Sequence, residues 1–163
     1  MAAFMQRLFN FEAFLASTCY ILVALAIMLD VAAREFFQYS IFGIQRIAVF
    51  LVIAVAYLGM GLAAGQNKHL RPRFADHWAP ASWRFFIERF GDLLAASLFA
   101  FMGVIATQMV MTTYEYGWDA TVVRFPLWMV QWVMPYGFFS TAFRYAVFFI
   151  RPDLKPAEAG GEA

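Results

Sequence analysis

His69 and His77 stand eight residues apart, with Asp76 beside the second, and are the histidines of this 163-residue chain. With no cysteine nearby and a single carboxylate, that spacing is a weak pattern for zinc. Haem fares no better, because a membrane b-type site needs axial ligands on facing helices and both histidines fall in one gap between apolar runs. Cys19 has no second cysteine to pair with, which excludes an intrachain disulfide and a cysteine-based metal set. Inside an apolar run it reads as a small buried hydrophobe. No Gly-rich phosphate loop occurs, and no Ser-His-Asp set stands out. These residues therefore call for no cofactor, no metal and no catalytic group. A formal charge of +1 without a basic stripe gives no case for nucleic acid.

The elements that would have to position any such chemistry are membrane spans. The chain is 63% hydrophobic, 20% aromatic and only 14% charged, against roughly 45–50% apolar and about 25% charged for soluble domains. Four apolar segments, about 13–37, 44–65, 88–114 and 125–150, are each long enough to cross a ~30 Å hydrocarbon layer as helix. The fold class is an all-α integral membrane protein with one four-helix domain over residues 1–151 and a flexible tail over 152–163. Glu12 precedes an apolar run too long for a cleaved leader, so the first span is expected to be retained as a signal anchor.

Four spans put both termini and the central gap on one side. That side holds Arg7, Lys68, Arg71, Arg73, Arg84, Arg89, Arg144, Arg151 and Lys155; the other holds Arg34, Arg46 and Arg124. The positive-inside rule assigns the richer side to the cytoplasm, so both termini are expected there, in the inner membrane of a bacterial cell. The stretch GQNKHLRPRF, Gly65 to Phe74, is on this reading chiefly a topology signal.

Ionisable groups inside a membrane are costly and usually functional, yet the middles of the four spans contain neither a charge nor a histidine. Asp30 and Arg34 are four apart near the outer end of the first span and are placed to pair. Arg144 is expected to snorkel towards the cytoplasmic headgroups. What the spans do contain is packing chemistry. Gly61 and Gly65 form a G-x-x-x-G with Gly59 nearby, the spacing that lets helix backbones approach closely. Pro135 should kink the fourth span, and the uncharged Gln108 and Gln131 can bond across helices.

These features sit in two blocks with a family resemblance. Ser40 to Phe74 carries Gln45, Gly59, Gly61, Gly65, His69 and Leu70, and Phe125 to Tyr145 carries Pro126, Trp128, Pro135 and Gly137. In these blocks the chain resembles the small membrane subunit of tripartite ATP-independent periplasmic (TRAP) transporters, the DctQ-like small permeases. It departs from the pattern at Gln45 and Arg46, where that family commonly has two adjacent carboxylates, and after His69, where an acidic residue is missing. The resemblance implies a non-catalytic subunit bound to a large permease, whose static part it enlarges during sodium-coupled uptake. The substrate would be an organic acid delivered by a periplasmic binding protein. Gln45, Gly59, Gly61, Gly65, His69, Pro126, Trp128, Pro135 and Gly137 would then belong to the subunit interface. In the outer loop, Glu115, Trp118, Asp119 and Arg124 would offer aromatic and charged groups for docking the binding protein. Membrane lipids cover the rest. The competing reading is a membrane anchor for a redox or signalling complex, which a cofactor absorption band would reveal.

Overall fold

An uninterrupted apolar run in lipid can satisfy its backbone N–H and C=O groups only within itself, and so it winds into helix. The computed structural model describes residues 2–65, 84–120 and 125–152. The elements are α1 (Ala2–Phe37), α2 (Ile44–Gly65), α3 (Arg84–Glu115), β1 (Asp119–Ala120), β2 (Phe125–Pro126), α4 (Leu127–Gln131) and α5 (Val133–Ile150). Among the described residues four stretches are long and apolar enough to cross a membrane: α1, α2, α3, and α4 continued by α5. Helix α1 starts well before the apolar run that begins at Ala13, so its first turns carry polar Gln6, Arg7 and Asn10.

Each turn among the described residues has a local cause. Helix α1 stops at Gln38, whose φ of 54° is left-handed. The Gln38 N–H donates to the Arg34 carbonyl, the 5→1 bond of an αL cap, and the Tyr39 N–H donates to the Ala33 carbonyl. Gly43 then takes φ 84° and its carbonyl accepts from Arg46 and Ile47, which starts α2. At the end of α3, Gly117 at φ 61° turns the chain into a short antiparallel pairing of Asp119 with Pro126 and Ala120 with Phe125. The fourth span is interrupted at Trp132, between α4 and α5. Pro135 has no N–H to offer the Gln131 carbonyl, and its ring crowds that oxygen. This accounts for the break in the hydrogen-bond ladder there, while Trp132 keeps helical angles (φ −57°, ψ −23°).

Helix α5 is the hub. It packs along both α2 and α3, while α1 packs along α2, and half of the fourth span is buried against 17–22% of each of the other three. Near one end of the bundle Ala64, Tyr145 and Phe148 form a core, with Met5, Ala95, Ala96 and Phe99 packed around it. The alanines leave room for the two rings, and the Tyr145 ring stacks on that of Phe99 at 5.9 Å. Large apolar side chains on the outward faces of α1, α2 and α3 remain exposed, as expected of surfaces that lipid or a partner covers.

Candidate functional site

The buried seam of α1 consists of Glu12, Ala16, Val23 and Asp30. Spacings of four and seven keep all four on one face of a helix. Small residues occupy the middle of the seam and a carboxylate marks each end. Glu12 and Asp30 are eighteen residues apart, about 27 Å along a helix, close to the ~30 Å hydrocarbon thickness. The acids thus stand at opposite edges of the apolar layer.

Glu12 is 1% exposed and meets three donors from α5. The Tyr136 hydroxyl (3.0 Å) and Ser140 Oγ (2.6 Å) donate to Oε1, and Arg144 Nη2 donates to Oε2 at 2.6 Å. These donors recur every four residues, so α5 presents them in a row on one face. Arg144 is itself 1% exposed and its Cζ lies 5.8 Å from the Phe9 ring centroid. It does not reach outward to headgroups as the sequence suggested; a counter-ion inside the bundle holds it. Such a pair offsets its desolvation only with good geometry and further hydrogen bonds; Glu12 has both, while the buried Arg144 Nε has no hydrogen-bond partner among the described residues.

The glycines of α2 make room for this pair. A Cβ at Gly61 would lie 3.2 Å from Glu12 Oε2, and one at Gly65 would lie 2.7 Å from Arg144 Nη1 and 3.0 Å from Phe9 Cδ2. At Gly59 a Cβ would meet nothing within 4 Å. On α5, a Cβ at Gly137 would lie 2.8 Å from the Tyr57 carbonyl oxygen, so α2 and α5 touch backbone to backbone there.

At the other edge Asp30 is 2% exposed. Arg34 Nη2 and the Gln45 amide donate to Oδ2, while Ser40 Oγ and the Ile41 N–H donate to Oδ1. The expected Asp30–Arg34 pair is formed, and the same carboxylate ties the turn and the start of α2 to α1.

The structure brings Gln45 to Asp30, Gly61 and Gly65 to the Glu12–Arg144 pair, and Gly137 to α2. Trp128 on α4 packs edge to face against Tyr114 at 5.4 Å; Pro126 lies in β2 beside it, and buried Pro135 lies on α5. Glu115, Trp118 and Asp119 are exposed at the same end, with the Trp118 ring stacked on Tyr116 at 5.6 Å. His69 and Arg124 lie outside the described residues. Sequence reasoning did not link Glu12 to Arg144; a signal was available, since both charges fall near the same membrane edge. Gln131 is buried, and its Oε1 has no hydrogen-bond partner among the described residues.

With this geometry in place, one family match bears on it. The family described as "Tripartite ATP-independent periplasmic transporters, DctQ component" matches residues 23–154. No curated protein matches the chain.

Proposed function

Because the chain belongs to the DctQ component family of tripartite ATP-independent periplasmic transporters, we propose that it is the small membrane subunit that widens the static scaffold of a large permease. The observation that carries this reading is that both buried acids of α1 are spent inside the chain. Glu12 accepts from Tyr136, Ser140 and Arg144, and Asp30 accepts from Arg34, Ser40, Ile41 and Gln45. A carrier of ions or acids needs groups that exchange partners with the cargo during transport. Groups saturated by their own protein instead fix helices against one another, which suits the part of an elevator that stays still.

On this reading the large permease carries the substrate and sodium, and a periplasmic binding protein delivers an organic acid. The exposed end bearing Glu115, Trp118 and Asp119, with Arg124 in the same loop, docks the binding protein. Both termini face the cytoplasm of a bacterial cell, in keeping with the distribution of Lys and Arg.

Reconstitution tests it. In proteoliposomes, the two membrane subunits with binding protein and a sodium gradient should take up organic acid, and this chain alone should not. Uptake by this chain alone would refute the scaffold assignment.

A further inference from the structure

Helix α3 has two opposed faces. Gly103, Ala106, Val110 and Thr113 are buried on the side that packs along α5. Opposite them, Gln108 is exposed, and so are Phe101, Val104, Thr112 and Glu115, at minus seven, minus four, plus four and plus seven from it. That spacing is the signature of one continuous face, and of a helix laid against another surface.

Gln108 is the unusual member of this face. The hydroxyls of α3 (Ser97, Thr107, Thr112 and Thr113) each donate to a carbonyl of their own helix, so hydrocarbon can surround them without an unmade bond. The Gln108 side chain has no partner among the described residues. It lies six residues before Tyr114, about 9 Å deeper along the helix than the Tyr114–Trp128 pair, and such aromatics sit at the headgroup level. Snorkelling to the near surface is disfavoured, because helical side chains tilt towards the N-terminus of their own helix, which here points deeper into the layer. An amide left in hydrocarbon without a partner is strongly unfavourable. By contrast, the outward side of α1 shows Phe11, Phe14, Ile21, Leu25 and Met28, which lipid covers with no polar cost.

We infer that the Gln108 face of α3 receives a transmembrane helix of the large permease, whose polar side chain or exposed carbonyl bonds the Gln108 amide. The inference rests on the subunit reading above and adds where on this chain the partner sits. Val104 and Phe101 pack beside the contact, and Thr112 carries it towards the aqueous edge, short of the Glu115 end that docks the binding protein.

The test uses the intact complex, with this chain co-expressed with the large permease of its transporter. A photo-crosslinking side chain is placed at 108 or 101, and for comparison at 21 or 25 on α1. Crosslinks to the permease are expected from 108 and 101 and not from 21 and 25. Gln108→Leu should weaken retention of the permease in detergent roughly three- to tenfold, the range of intramembrane hydrogen bonds, while the variant chain is recovered at unchanged yield. Crosslinks from 21 and 25 alone, with the complex intact, would overturn this placement and leave the subunit reading standing. Unchanged retention of Gln108→Leu, with only lipid crosslinked at 108, would overturn it too. Failure of the two wild-type chains to associate at all would remove the subunit reading, and the placement with it.

Discussion

A carboxylate with three donors and an arginine with one strong acceptor are unequal partners, and substitutions should expose the asymmetry. Arg144→Ala leaves Glu12 buried with Tyr136 and Ser140 but no counter-ion. Breaking one side of a buried pair typically costs about 3–5 kcal/mol. The variant should therefore unfold at markedly lower temperature in detergent, and the double variant Glu12→Gln with Arg144→Gln should recover much of the loss. A thermal-unfolding series giving Arg144→Ala the stability of wild type would mean the pair contributes nothing. Gln45 makes a related point at the other edge. Its amide donates to Asp30, whereas an acid in that place would set two carboxylates against each other. None of these contacts was legible beyond the i,i+4 pair of Asp30 with Arg34. Glu12 and Arg144 are separated by 132 residues, and nothing in a single sequence states which helices become neighbours.

The four apolar spans were legible, because lipid imposes length and composition on any helix that crosses it. The glycines were legible only as places of close approach. At Gly61 and Gly65 the approaching atoms are the Glu12 carboxylate and the Arg144 guanidinium, while at Gly137 they are the backbone and Cβ of Tyr57. Gly137→Ala should force α2 and α5 apart, costing about 1–3 kcal/mol as overpacking does, whereas Gly59→Ala meets open space and should leave the melting temperature unchanged. Equal effects of the two would show that α2 and α5 do not touch at Tyr57. The β1–β2 element raises a separate expectation. Reversing Glu115 and Asp119 together to Lys should slow uptake at limiting binding protein, and excess binding protein should partly restore it. The effect should fade at high salt, since exposed charges are screened beyond ~8–10 Å. Uptake unchanged by the reversal at low salt would place docking elsewhere.

Taken as one body, the molecule is a central α5 flanked by α2 and α3, with α1 packed along α2 and fastened by an acid at both edges of the apolar layer. For orientation, a reporter active only in the cytoplasm should be active when fused after Ala163 and silent when fused at Asp119; activity at Asp119 would invert the proposed topology. The separation of Glu12 from its donors also has a consequence in time. Synthesis delivers α1 first and α5 last. At about 5–20 residues per second the 132 residues between Glu12 and Arg144 occupy the ribosome for roughly 7–25 s. Throughout that interval the nascent chain holds an acid whose counter-ion does not yet exist, and lodging it near the headgroups keeps it within reach of water while it waits. Helix α1 can pack along α2 as soon as both are made, but its Glu12 end is expected to close only once α5 has arrived, so an unfinished chain would expose an unpaired acid. In a chain stopped after Ala120, Glu12→Leu should lengthen the lifetime seen by pulse-chase, and in the full chain it should shorten it by stranding Arg144. The same sign in both would mean that the acid plays no part in how the cell recognises an incomplete copy.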